Sequence, residues 1–320
     1  MPNSISNFGV LLPTRGVLVY ANGGTPRVEL NWQMAETAER MGYDSVWVGD
    51  SITSKPRLEP LTIMAALAAR TSRVKIGTAV MLTAMRHPVH LAHAIATIDN
   101  ISNGRTILGV GAGRGDHPMF VHEHESVGVP IRERAARMEE GLKLMRRLWS
   151  GAEVTSEEEF YPVQQVTLEP RPVQPSMPIW VSSNLVRRGL RRVAELGDAW
   201  ITNVPNIAVF QDCWQTIQGH ALELGRDPDP MTKCLYISVN INTQEDAVRE
   251  GDQFMQSYYG RPYDEMSKLL LCQFGPAQQC IETILKYKEQ GANYFIVRFA
   301  SPNQMEQLSK FTQEVIPHVS

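Results

Sequence analysis

Short apolar runs recur along this chain, each followed by a longer segment whose apolar residues fall at helical spacing. This alternation constrains the fold more than any other feature. Phe8-Gly9-Val10-Leu11-Leu12 reads as a buried strand ended by Pro13, and Leu30, Met34, Ala38 and Met41 follow at helical spacing up to Gly42. Ser45–Val48, Val74–Val80, Thr106–Val110, Ile179–Val181, Ala199–Ile201, Cys234–Ile241 and Tyr294–Val297 supply seven more runs, with helical patterns between them. Helices are expected near 185–196, 207–224, 244–258 and 277–290, with a last one near 303–315. Residues 151–177 break the rhythm and read as an inserted hairpin or extended loop. Eight strands, each followed by a helix, predict an α/β fold: one (β/α)8 TIM barrel over 1–320 with insertions in the βα loops. An open doubly wound sheet would more often place a glycine-rich phosphate loop straight after the first strand, where Leu12-Pro13-Thr14-Arg15-Gly16 stands instead.

Composition narrows the function. A net charge of −3 without clustered Lys and Arg gives no footprint for nucleic acid. No apolar run approaches the ~18 residues of a membrane span. Met1 to Ser6 shows neither the basic nor the apolar region of a secretory signal. The four cysteines, Cys213, Cys234, Cys272 and Cys280, have no C-x-x-C spacing and read as free thiols. Together these features predict a soluble, cytoplasmic chain.

In a barrel the active site lies at the C-terminal strand ends. The candidates there are Pro13-Thr14-Arg15, Gly49-Asp50-Ser51, Thr78-Ala79-Val80, Gly111 to Asp116, Ser182-Ser183-Asn184, Thr202-Asn203, Asn240 or Asn242, and Arg298. Glycines at 109, 111 and 113 permit close backbone approach to a flat ligand or phosphate, or make a tight turn, and Arg114 beside them can grip phosphate. Ser182-Ser183-Asn184 precedes a helix, so it suits an anion or a plain N-cap. His87, His90 and His93, and the group around His117, have spacings that tempt a metal reading. None lies on a strand end, and no metal is expected.

The stretches Ile76-Gly77-Thr78-Ala79-Val80, Arg86-His87-Pro88-Val89, Ala96-Thr97-Ile98-Asp99 with Ile101-Ser102 and Gly104-Arg105, and Gly109 to Arg114 resemble the bacterial luciferase-like monooxygenase family. So do Glu133-Arg134, Leu148-Trp149, Pro178 to Val181, Leu196 to Trp200 and Glu314 to Pro317. The resemblance spans nearly the whole chain. It implies a barrel that holds FMN or a 5-deazaflavin at its C-terminal face. It also implies a non-prolyl cis peptide at the third strand, here Ala79–Val80, behind the flavin ring. Thr78, Ala79, Val80, Gly111, Gly113, Arg114, Ser182, Ser183 and Asn184 are then the cofactor-binding candidates, with Arg114 and the 182–184 turn toward phosphate.

Three departures matter. Arg15 stands where the family's alkanesulfonate monooxygenases have His. Asp50 is followed by Ser51, where many deazaflavin members carry a catalytic His. Arg114 occupies the place of the Glu found in the family's glucose-6-phosphate dehydrogenases. These favour FMN. The expectation is a two-component flavoprotein monooxygenase in which reduced FMN from a separate flavin reductase activates O2 against a small organic, anionic substrate. Arg15, Asp50 and Arg298 are its catalytic candidates. The two arginines would face the pocket from opposite sides of the barrel, and Asp50 would orient Arg15 or act as a base. A loop, Tyr258 to Phe274, is expected to cap the substrate. The alternatives are a deazaflavin-dependent hydride-transfer oxidoreductase, a non-catalytic flavin-binding subunit and a metal hydrolase. The family is often dimeric, so a homodimer is expected.

Overall fold

A computed structural model describes residues 5–320. The first residues, on which the reading of a leaderless N-terminus partly rests, lie outside that range. Among the described residues eleven strands form: β1 Ile5–Leu11, β2 Tyr43–Val48, β3 Lys75–Thr78, β4 Thr106–Val110, β5 Val154–Ser156, β6 Val163–Val166, β7 Ile179–Ser182, β8 Ala199–Thr202, β9 Thr232–Ile241, β10 Cys272–Gly275 and β11 Tyr294–Phe299. Eight of them close a parallel barrel in the order β1-β2-β3-β4-β7-β8-β9-β11, with β11 returning to β1. β5 and β6 pair as an antiparallel hairpin, which is the insertion expected in 151–177.

The connecting helices start and stop where local chemistry directs. Pro60 and Pro88 open their helices without losing a needed N–H. The Glu59 carboxylate accepts from the Thr62 N–H at 2.8 Å, which caps the first. Gly42 closes helix Leu30–Met41 at φ 95°, a left-handed conformation that costs glycine nothing.

A buried plug fills the lumen, built around Leu11, Trp47, Ile107, Trp180, Ile201 and Ile296. Trp47 and Trp180 lie 5.0 Å apart, and Trp180 meets Tyr294 edge-on at 4.8 Å. Trp47 fits only because both neighbouring strands carry glycine near it. A Cβ on Gly9 or Gly77 would sit 2.2 or 2.3 Å from its ring. Ala79, Val80 and Tyr236 rest against the plug, partly exposed.

Two elements differ from expectation. The polar stretch after β4 contains a helix, Pro118–Glu125, opened by a proline and capped by the His117 ring, which accepts from the Met119 N–H at 3.2 Å. The segment 258–274 is not a loop throughout, since it holds a helical turn, Tyr263–Met266, and the strand β10. β9 is long enough to carry two strands on one edge. Its Thr232–Leu235 half pairs with β8, and Ser238–Ile241 pairs with β10.

Candidate active site

The C-terminal barrel mouth gathers the exits of all eight strands, and its floor comes from β3. The Ala79–Val80 peptide is cis, at the bond the sequence pointed to. β4 lies unusually close beneath it: a Cβ on Gly109 would stand 1.9 Å from the Thr78 carbonyl oxygen, and one on Gly111 2.8 Å from Val80 Cγ2. Strand-to-strand approach thus requires these two glycines, whether or not a ligand also uses them. The Thr78 hydroxyl locks the contact by donating to the Gly109 carbonyl at 2.6 Å. Above lies a slot lined by Ala79, Val80, Ser182, Ile201, Thr202, Asn203 and Tyr236. Its apolar floor and polar edge match a flat heteroaromatic ring.

Around the slot, the candidates divide. Ser182 lines it, and Asn184 is built into its wall. Asn184 donates to Asn203 Oδ1 at 2.8 Å and accepts from Thr202 Oγ1 at 2.9 Å. Ser183 is half-buried, and its carbonyl accepts from Trp200 Nε1 at 2.7 Å. The helix that follows, Arg187–Leu196, has no side-chain cap at its N-terminus. Gly113 turns the chain at φ 74° over the buried His124 ring. Arg114 points away from the slot into a second pocket, its fork held by Asp116 at 2.5 and 3.0 Å.

The β2 exit departs from expectation. Asp50 does not orient Arg15. Its carboxylate takes Arg86 bidentately at 2.6 and 3.0 Å and the Leu82 N–H at 2.9 Å, so it fixes the turn after β3. Ser51 donates to Glu123 at 2.6 Å. That same carboxylate also receives the N–H groups of Ile52, Thr53 and Ser54 and the Ser54 hydroxyl. Burial pushes Glu123 up, but the Ser51 and Ser54 hydroxyls and these N–H groups hold it below the usual range.

Arg15 and Arg298 are not on opposite sides either. β1 and β11 are adjacent strands, so the two guanidiniums converge on one tyrosine, each 5.1 Å from the Tyr258 ring centre. Arg15 clamps chain to chain, donating to the carbonyls of Tyr258 and Pro56 at 3.2 Å each. Arg298 is buried, donates to Ser238 Oγ at 2.6 and 3.1 Å and to the Tyr259 hydroxyl, and is ringed by Tyr236, Phe254, Tyr258 and Tyr259.

Sequence reading missed Lys55, Arg57 and Glu123 as site residues, and it placed Tyr258 and Tyr259 only within a capping segment, not beside the arginines. One signal existed. Gly49 makes room for Arg57, whose Nη1 would lie 2.1 Å from a Cβ there. Burial pushes the Tyr258 phenol up, while Arg57, Arg298 and Arg15 pull it down further, leaving it below the ordinary tyrosine range. Burial is also the largest influence on Lys55, and with Arg114, Arg57, Arg15 and Arg298 it lowers that amine to about 7. Among the described residues, none of Arg15, Lys55, Arg57 and Arg298 forms an ion pair with a carboxylate. The mouth is therefore cationic although the whole chain is not. Among the described residues, no three His, Cys, Asp or Glu gather as metal ligands. No described helix is long and apolar enough to cross a membrane.

Comparison with known proteins adds four findings. The sequence model of the luciferase-like monooxygenase family matches residues 6–294. An F420-dependent glucose-6-phosphate dehydrogenase of Amycolatopsis mediterranei (strain U-32) is 26% identical over 89% of this chain and 92% of its own length. Among solved structures, an F420-dependent secondary alcohol dehydrogenase bound to an F420–acetone adduct superposes with a TM-score of 0.78 at 23% identity, all of both chains covered. A monooxygenase from Streptomyces bottropensis superposes with a TM-score of 0.80 at 22% identity over 98% of this chain and all of the other.

Proposed function

The chain belongs to the luciferase-like monooxygenase family, and is an oxidoreductase of the flavin or deazaflavin class; from that premise we propose that it is a two-component monooxygenase. Reduced FMN comes from a separate reductase, and the chain works as a homodimer on a small anionic substrate. When bound, the flavin supplies the reducing equivalents that activate O2. The protein's part is to hold the ring, exclude water and place charge.

One observation carries this reading. Among the described residues, no carboxylate and no histidine lines the slot above Ala79–Val80, while guanidiniums surround the adjoining mouth. Taking hydride from an alcohol needs a base for the hydroxyl proton. The acid at the β2 exit, Asp50, is committed to Arg86, and Ser51 follows it. Oxygen chemistry instead develops negative charge on oxygen, which preorganised cations stabilise. Ser182, Thr202 and Asn203 would meet the polar edge of the ring, and Ile201, Ala79 and Val80 its face. The uncapped helix behind Ser183 and Asn184 would receive the phosphate.

A second reading is a deazaflavin hydride-transfer enzyme. It is favoured by the F420-dependent relative that matches nine-tenths of the chain. Anaerobic titration with reduced FMN, oxidised FMN and F420 separates the two. Selective binding of reduced FMN, with O2 uptake on admitting air, is expected. Binding of F420 alone would replace this reading with the second.

A further inference from the structure

A second pocket, separate from the ring slot, has Tyr259 in its wall. Lys55, Arg114, His117, Phe120, Tyr259 and Arg261 line it. Its one lining carboxylate, Asp116, is already spent on Arg114. Lys55 is half-buried there. Its ammonium lies 4.4 Å from the Tyr259 ring centre and 5.2 Å from that of Phe120. The Tyr259 hydroxyl in turn receives Arg298. A partly desolvated ammonium without a counter-anion is costly unless something compensates it. Aromatic faces compensate only in part.

The loop carrying Lys55 is also held with unusual care. Glu123 receives three consecutive backbone N–H groups, from Ile52 to Ser54, and two serine hydroxyls. Ser51 Oγ accepts from the Lys55 N–H at 2.9 Å. Glu123 thereby spends its charge on the loop, and Lys55 keeps its own for the pocket. Arg57 and Arg15 back the same loop, the first donating to the Lys55 carbonyl at 3.3 Å and the second to that of Pro56.

We propose that Lys55, with Arg114 and Arg261, is a specificity-determining anion site that binds a tetrahedral oxyanion of the substrate, a sulfonate, sulfate or phosphate group. This rests on the oxidoreductase reading for the role of the site but not for its binding chemistry. The ammonium is the anion's counter-charge, Arg261 supplies a forked pair of donors to its oxygens, and Arg114, whose Nε and Nη2 are held by Asp116, supplies its remaining Nη1. The neutral amine cannot play this part. Because Lys55 titrates near neutrality when the pocket holds no anion, occupancy takes up a proton on the alkaline side.

The test is calorimetric titration of the flavin-free protein with sodium sulfate, since sulfate does not titrate in this range. Affinity is expected to fall about tenfold per pH unit above ~7, with close to one proton taken up per site at pH 8. K55M should lose at least about tenfold in affinity at pH 6. K55R should bind equally at pH 6 and pH 9, because its charge does not titrate. pH dependence that persists in K55R would overturn the assignment to Lys55. Sulfate that gives no saturable heat, or that binds K55M like the wild type, would overturn the site itself. Flavin binding is measured separately, so either proposal can fail alone.

Discussion

At the residue scale, the chain's charged side chains fall into two groups with different tasks. Several of the family-like residues fix the fold. Arg105 donates to the carbonyls of Ala68, Thr71, Val74 and Ser102, tying the ends of two helices together. Asp198 accepts from the Ile179 N–H at 2.8 Å and from Arg146. Asp50 belongs with these, paired to Arg86. The second group, Lys55, Arg57, Arg15 and Arg298, crowds the mouth without acids. Lys55 gives this crowding a measurable consequence. Its folded-state value, about 7, lies below the ordinary 10.5. Between those values the unfolded chain holds a proton here that the folded chain does not, so this group makes stability rise with pH across that window. Below about 7 both states are charged and the folded state bears the full cost. Melting temperatures of the ligand-free protein from pH 6 to 10 should show a rise that K55M flattens. Parallel curves for the two proteins would mean the amine is as well solvated as any surface lysine.

At the element scale, β10 is the feature no pattern foretold. Four residues long, with Cys272 and Gln273 half-buried and only Phe274 and Gly275 buried, β10 lacks the continuous apolar run of the other barrel strands. It forms because β9 outlasts β8 and leaves the Ser238–Ile241 edge open. Phe274 then packs on Gly251 of helix Gln244–Tyr259, where a Cβ would stand 2.2 Å from the ring. Alanine usually improves a helix interior by roughly 1 kcal/mol over glycine. Here overpacking, about 1–3 kcal/mol, should win. G251A is expected to be less stable by up to roughly 2 kcal/mol in urea unfolding. A gain in stability would show that the helix and β10 are loosely seated. The seating matters because that helix ends in Tyr258 and Tyr259. The helix Pro118–Glu125 is a parallel case. Its polar composition hid it, and its role is to deliver Glu123 to the Lys55 loop.

At the scale of the whole molecule, eight strands close one barrel around one plug, so the chain should unfold as a unit. Calorimetry is expected to give a single endotherm, and reduced FMN at 100 times its Kd should add ~2.7 kcal/mol, which is a rise of roughly 5 °C. Two separate transitions, with only one moved by flavin, would show that the hairpin or β10 region melts independently. The barrel strands and most connecting helices were legible in the amino-acid order, because a strand buried on both faces must be apolar throughout and a covering helix must be apolar on one stripe. The list of strand ends followed from local motifs, and the cis bond at Ala79 from the family resemblance. What stayed hidden were relations between distant segments. Arg15 and Arg298 stand 283 positions apart, and only barrel closure makes their strands neighbours. Asp50 could have met either Arg15 or Arg86, and the path of the turn after β3 chose Arg86. Lys55 and Glu123 carry no periodic signal because both lie in polar segments beyond the strands. Patterning records how each segment meets the core. Which charges meet one another at the mouth is set by closure and loop path, and only the tertiary structure decides that.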